Sequence, residues 1–507
     1  MQRGLVEPPA GRIRCRGCLW AAPEPKERCH MDATPWTPTQ PHRYLSGFFA
    51  PVFDEQVSDW LPVEGELPRD LCGTFIRNSS NPRFAPKGRY HWFDGDGMLH
   101  ALEIAEGRAR YRNRWIRTKA FEAESQAGTG LWSGVTERPD FTNPRGPFKD
   151  SANTDVVYHA GRLLALWWLG GEPYVISLPD LQTCGTTNWP GMKTVSAHPK
   201  VDARTGEMMI FDYKPLPPYL TYGVVGKNGE LVHHTTIDLP GPRLQHDMAI
   251  TEHYSLVFDM SLMWDPELLA QGKTRVRFFR DRPSRIGVLP RYGTGRDVRW
   301  FSCAPFYMYH TINAWEETDT DGNTRIVLVG CRIENPLADD PQNPASEGVV
   351  PTIGFLRLAP RLHRWTLNLA TGGVHEETLD DTLIEFSRMD NRALGYRCRY
   401  GYSGRVPQLE TIRFDGIVKH DLHRGSSQQF RFAPGWHGGE TTFVPRQGSP
   451  SDSPDDDGYV LTFLEDDATQ TSYLGVFAAE QIERGPIAKV RLPRRVPTGY
   501  HTYWVPA

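Results

Sequence analysis

From about Tyr44 to the C-terminus, short apolar runs alternate with turn signals, and few stretches have helical spacing. Residues 163–168 follow Ala160-Gly161-Arg162, and 208–213 follow Arg204-Thr205-Gly206-Glu207. Residues 324–330 follow Asp319-Thr320-Asp321-Gly322-Asn323, and 459–464 follow Asp455-Asp456-Asp457-Gly458. Each pairs a turn with a strand rich in β-branched or aromatic residues. Residues 266–271 predict one short helix, with Asp265 as N-cap and Pro266 at the first helical position. Many short strands at even spacing fit a propeller, a barrel or a sandwich. No sequence repeat is visible, so any repetition is structural. Segments 128–149 and 336–351 predict long loops, and 450–457 a solvated acidic tip.

The chain has 507 residues, long for one domain but not for an all-β fold. Its 15 Trp, 47 Gly and 42 Pro reinforce the reading of aromatic strands joined by tight turns. Net charge is −4 with no basic stripe, which argues against a nucleic-acid partner. Eight cysteines are scattered. Cys15-Arg-Gly-Cys18 is a CxxC without a second pair at zinc-ribbon spacing, and the five cysteines after Cys29 are expected as buried small apolar residues. That usage fits a reducing, cytoplasmic location. No run of about 18 apolar residues predicts a membrane span. Residues 1–35 read as a disordered extension, with Met31 a candidate start, and 36–507 as a single domain.

Four histidines occupy four strongly flavoured segments: Ser196-Ala197-His198-Pro199-Lys200, Gln245-His246-Asp247-Met248, Tyr309-His310-Thr311-Ile312-Asn313, and Gly499-Tyr500-His501-Thr502-Tyr503-Trp504. Separations of 48, 64 and 191 residues rule out one helix or hairpin as their frame. A closed architecture that returns the chain to one axis would bring them together, and a propeller does this with its inner strands. Four imidazoles would then suit iron, copper, nickel or zinc. His91, His100, His159, His233, His234 and His437 read as ordinary hydrogen-bonded core or turn residues. The Asp94-Gly95-Asp96-Gly97 run reads as tight turns, because an EF-hand loop would need ligands over 12 residues ending in Glu.

With Gly73-Thr74-Phe75-Ile76-Arg77-Asn78 and Tyr90-His91-Trp92-Phe93-Asp94-Gly95-Asp96-Gly97, the histidine segments resemble the carotenoid cleavage oxygenase family. The resemblance spans about Tyr44 to Pro506. It implies an all-β, seven-bladed β-propeller with a dome of loops and short helices over the iron-bearing face. It implies Fe2+ held by His198, His246, His310 and His501, with Glu385 and Glu440 accepting from ligand imidazoles. The family uses three glutamates for this, and Trp168 stands where the third is expected. One histidine would then be oriented by water or a backbone carbonyl. Trp167 stands where the phenol-cleaving branch has a lysine.

The implied reaction is O2-dependent cleavage of a C=C bond of a carotenoid or apocarotenoid to two carbonyl products. The alternatives are a stilbene or isoeugenol-type cleaver, or an inactive propeller serving as a lipid-binding or scaffold protein. Phe48, Phe49, Phe121, Trp132, Trp168, Phe306, Tyr307 and Trp436 are candidate tunnel or dome residues for an apolar alkene. Residues 44–53 would either touch a bilayer peripherally or form the first buried strand. Oligomeric state stays open.

Overall fold

Burial along each strand follows its place in a sheet. Arg108–Trp115, well out from the sheet's inner edge, alternates buried and less buried positions, whereas Met208–Tyr213, with a strand on either side, is buried throughout. Strands covered on both faces read as continuous apolar runs and half-covered ones alternate. The computed structural model describes residues 35–507 apart from 40, 266, 269–270, 272–275, 339, 342–348, 354–355 and 450–452. The expected extension, Pro35 excepted, and Cys15, Cys18 and Cys29 lie outside the described residues.

Seven antiparallel sheets form the blades of a β-propeller. The first contains Gly73–Ser80, Gly97–Ala105 and Arg108–Trp115; the second runs outward from Thr154–His159, the third from Lys200–Val201 and the fourth from Ala249–Ile250. The fifth begins with Tyr307–Thr318 and ends in the long strand Val374–Arg388. That strand pairs with Arg361–Asn368 up to Leu383, then crosses to Tyr400–Arg405 and opens the sixth blade. The seventh runs from Thr442–Pro445 and Trp436–Gly438 through Gly458–Asp466 to Pro486–Arg491. Both ends of the described chain close the ring. Thr502–Pro506 becomes the innermost strand of the first blade, in register from Gly73↔Pro506 to Arg77↔Thr502, and Val63–Gly65 adds to the outer edge of the seventh.

Insertions between strands supply the dome. They include the hairpins Leu262–Trp264/Val276–Phe278 and Thr352–Ile353/Leu356–Arg357. One helix, Lys119–Ala127, was not expected from the spacing, although both its stops are ordinary. Thr118 Oγ1 accepts from the Phe121 N–H, and Gly128 ends the helix at φ +68°. Of the expected helix at 266–271, Glu267 and Leu268 donate their N–H groups to Asp265 Oδ1 at 3.0 and 3.2 Å, as an N-cap requires; most of its remainder lies outside the described residues.

Two expectations need correction. Residues 44–53 form neither a strand nor an exposed patch. They make two 3-10 turns, Arg43–Leu45 and Gly47–Phe49, with Tyr44, Leu45, Phe48, Phe49 and Val52 buried. Tyr44 stacks on Trp92 at 5.6 Å, so this segment spends its apolar surface inside the core. Cys184 is exposed, because it sits on the edge strand Thr183–Thr186 of the second blade, while Cys72, Cys303, Cys331 and Cys398 are buried.

Removing residues 502–507 opens the ring where Thr502–Pro506 pairs with Gly73–Ser80. At about 1 kcal/mol per lost strand hydrogen bond, the truncated protein should be less stable by on the order of 5 kcal/mol. Denaturant unfolding measures this, and an unchanged midpoint would show that closure does not depend on this strand.

Candidate metal centre

The blade that opens on each inner strand contributes one residue to the axis. His198 lies two residues before Lys200–Val201, His246 three before Ala249–Ile250, and His501 directly before Thr502–Pro506. Within Tyr307–Thr318, pairing jumps from Met308↔Arg332 to Thr311↔Gly330, so Tyr309 and His310 together oppose Cys331. Such a bulge re-aims a side chain. Gly330 permits it: a Cβ there would lie 2.4 Å from Met308 Sδ and 3.3 Å from the His310 carbonyl. His198 holds φ at +68°, a region that a residue with a side chain rarely adopts. Its N–H donates to Asp155 Oδ2 at 3.0 Å, which fixes the strained turn.

All four rings are buried and meet. Ring centroids lie 4.5 Å apart for His198 and His501, 4.7 Å for His198 and His246, 4.7 Å for His310 and His501, and 5.1 Å for His246 and His310. One nitrogen from each falls within 4.8 Å of the others. His198 Nε2 and His246 Nε2 face each other at 3.2 Å.

The opposite ring nitrogens are held by carboxylates. His310 Nδ1 lies 2.6 Å from Glu385 Oε2, and His501 Nδ1 lies 2.8 Å from Glu440 Oε1. His198 Nδ1 lies 3.6 Å from Asp155 Oδ2. His246 has no carboxylate partner among the described residues. Trp168 lines the cavity next to it.

Four charged residues that the sequence reading did not single out complete the setting. Asp247 accepts from Thr311 N and Oγ1, each at 2.8 Å, and pairs with Lys200 Nζ at 2.6 Å. Arg388 pairs with Glu440 at 2.9 Å and reaches Asp155 at 3.8 Å. Asp155, Asp247, Glu385 and Glu440 oppose Lys200 and Arg388. Counted as ionised, they leave two negative charges around the histidines, which a divalent cation would cancel. Burial lowers His198 and His246 well below the usual imidazole value, and their neighbouring histidines add to the effect. Burial also lowers His501, against the opposing pull of Glu440. Neutral imidazoles are the ligating form. His310 Nε2 is buried with no hydrogen-bond partner. Four ring nitrogens converging in a surplus of negative charge fit a divalent metal ion.

The six histidines read as ordinary residues are not part of the four-ring cluster, although His91 lines the cavity beside His246. His91 Nδ1 accepts from Phe93 N, His100 bonds Tyr111, and His159 and His233 bond backbone carbonyls. His437 pairs with Asp467, and His234 lies against Gly191.

The aromatic candidates divide. Trp168 and Tyr307 line a cavity of about 80 Å³ with His246, Tyr309, Phe93 and Trp264. Phe121 packs instead with Val52, Met98 and Trp115, and Phe306 packs at a tilt on Trp365. Trp132 lines a separate cleft. Phe48 lies under Arg413, Phe49 packs on Trp92, and Trp436 packs at a tilt on Tyr473.

A family model described as retinal pigment epithelial membrane protein matches residues 49–506. Carotenoid 9,10(9',10')-cleavage dioxygenase 1 of Pisum sativum is 35% identical, covering 92% of this chain and 90% of its own. Carotenoid cleavage oxygenase of Mycobacterium tuberculosis is 32% identical, covering 91% and 97%. Among solved structures, the lignostilbene dioxygenase of Pseudomonas brassicacearum aligns with a TM-score of 0.81 at 30% identity, over 94% of this chain and all of that one. The cobalt-substituted apocarotenoid oxygenase of Synechocystis gives 0.76 at 26% identity, over 90% and 97%.

Burial alone would raise Glu440, but Arg388, His501 and the Thr502 N–H outweigh it and hold the carboxyl at about 2 instead of 4.5. A depressed value means stability that is full above about pH 4.5 and lost as pH falls toward 2. Glu440→Gln should cost about 3 kcal/mol near neutrality, because it leaves Arg388 short of its partner. The gap to wild type should close across pH 4.5 to 2. Urea midpoints over that window check it, and a pH-independent gap would contradict it.

Proposed function

The chain belongs to the carotenoid cleavage oxygenase family, and on that premise we propose that it is an Fe2+-dependent dioxygenase. In this reading it cleaves a C=C bond of a carotenoid or apocarotenoid with O2 and gives two carbonyl products. The observation that supports it most directly is the convergence of His198, His246, His310 and His501, whose donor atoms lie within 4.8 Å of one another. These four are the proposed iron ligands. Relatives named as carotenoid cleavage dioxygenases support alkene scission as the chemistry.

Glu385 and Glu440 retain the Nδ1 protons of His310 and His501 and so direct Nε2 toward the metal. Asp155 plays that part for His198 over a longer contact. When bound, ferrous iron supplies the electrons that activate O2. Phe93, Trp168, Trp264, Tyr307 and Tyr309 form an aromatic wall beside His246 that would hold an alkene and keep water out.

The lignostilbene dioxygenase likeness favours a second reading, a stilbene or phenylpropenoid cleaver. Trp167 weighs against it: this buried indole stands where that branch carries a lysine, and it offers no ammonium to a phenolate. We read 36–507 as one catalytic domain and 1–35 as an extension. Among the described residues no helix is long and apolar enough to cross a membrane. The reading places the enzyme in the cytoplasm.

Protein reconstituted anaerobically with Fe2+ and then exposed to O2 should convert an apocarotenal or a carotene to two carbonyl products by mass analysis. Cleavage of isoeugenol or resveratrol alone would select the second reading, and no cleavage by iron-loaded protein would reject both. His246→Ala should lose stoichiometric iron and turnover; full retention of both would remove His246 from the ligand set.

A further inference from the structure

Two side chains in the cavity beside His246 bury hydrogen-bond donors that have no partner. They are the Tyr307 hydroxyl and the Trp168 Nε1–H. Tyr307 is 0% exposed and Trp168 9%. An unsatisfied buried donor costs about 1–3 kcal/mol, so two in one small cavity are a sizeable standing penalty. Several hydroxyl and indole groups nearby avoid it. Tyr213 donates its hydroxyl to the Trp168 carbonyl at 2.9 Å, Tyr500 to the Trp92 carbonyl at 2.6 Å, and Tyr44 to the Thr352 carbonyl at 2.6 Å. Trp132 Nε1 donates to the Gly146 carbonyl at 3.0 Å. Trp92, Trp167, Trp365 and Tyr402 also bury unpartnered donors, but none of them lines this cavity.

The two donors are held in place. The Trp168 N–H donates to the Asn153 carbonyl at 3.0 Å, and its own carbonyl accepts from Tyr213 and from Ser196 Oγ at 3.0 Å. Tyr307 packs on Tyr309 with ring centroids 4.9 Å apart, and Tyr309 packs on His246 at 5.1 Å. Most of the remaining lining is apolar, including Phe93, Phe148, Leu244, Trp264 and Ile353. A ligand that fills this space with hydrocarbon alone leaves both donors unpaired. One that brings an oxygen acceptor pairs them.

We propose that Tyr307 and Trp168 form an oxygen-recognising subsite, selective for an alkene that bears a carbonyl or hydroxyl oxygen a few bonds from the carbon pair held at the histidine centre. This rests on the function proposed above and narrows its substrate to oxygenated, apocarotenoid-type molecules over hydrocarbon carotenes. A site built to bond a substrate oxygen rejects the analogue that lacks it far better than an apolar pocket rejects an extra group. Trp168 thereby has a use that the glutamate it replaces could not supply, because an ionised carboxylate only accepts hydrogen bonds. Tyr307 and Trp168 are specificity-determining residues here and take no part in bond breaking.

The test is anaerobic binding to the full-length, iron-loaded protein, which reads recognition whether or not cleavage follows. The probes are an apocarotenal, β-carotene and isoeugenol. Donation to a conjugated carbonyl should move the apocarotenal's visible band to longer wavelength on binding. Tyr307→Phe and Trp168→Phe should each weaken apocarotenal binding about tenfold and reduce that shift, while β-carotene binding changes by less than about twofold. A loss confined to isoeugenol leaves the aldehyde bound as in wild type and overturns the subsite. Iron content of each variant reports whether the centre still forms. If a variant does not fold, the wild-type protein alone decides: equal affinity for aldehyde and carotene with no spectral shift overturns the subsite. So do iron-loaded variants that bind the aldehyde as wild type does. Failure of cleavage in air, with recognition intact, would count against the proposed function and not against the subsite.

Discussion

Four imidazole lone pairs directed at one buried point repel one another unless a cation stands among them. The rest of the site follows from that constraint. Protonating a histidine would remove its lone pair, but burial works against it at His198, His246 and His501. The carboxylates behind the ring make a cation more welcome still. Asp155, Asp247, Glu385 and Glu440 exceed Lys200 and Arg388 by two charges, so a divalent ion restores neutrality in a region where uncompensated charge is costly.

Holding those groups on one axis is the task of the propeller. Inner strands from the first, third, fourth and fifth blades bring the histidines, and the second, sixth and seventh bring Asp155, Glu385 and Glu440. Each blade thus lends at least one group to the centre. Local distortion completes the aim. His198 adopts a left-handed turn, and His310 occupies a bulge. A second pairing shift separates Glu385 from Arg388, which lets the glutamate face His310 while the arginine reaches Glu440.

Much of this was legible in the chain itself. The alternation of turn and apolar run marked Met208–Tyr213 at its observed bounds and the other strands to within a few residues. The four histidine segments and Glu385 and Glu440 carried enough flanking pattern to be picked out. Asp155, Asp247, Lys200 and Arg388 did not, because a charged residue next to a strand reads as a solvated edge until the strand is known to face an axis. The helix at Lys119–Ala127 was missed although Thr118 and Gly128 bracket it, since its apolar positions are too few to show a period. The aromatic candidates fared unevenly for a related reason. Sequence marks Phe121, Phe306 and Tyr307 alike as buried, but only three-dimensional packing separates a ring that meets another ring from one that meets a cavity.

Trp168 links the two halves of the site. It lines the cavity beside His246, the member of the four-histidine cluster with no carboxylate partner among the described residues, and its indole N–H has no partner. Anomalous diffraction collected at the iron edge from crystals of the full chain tests the central claim most directly. The account predicts a single anomalous peak at the point shared by His198, His246, His310 and His501. A peak elsewhere, or none in protein loaded with Fe2+, would contradict it.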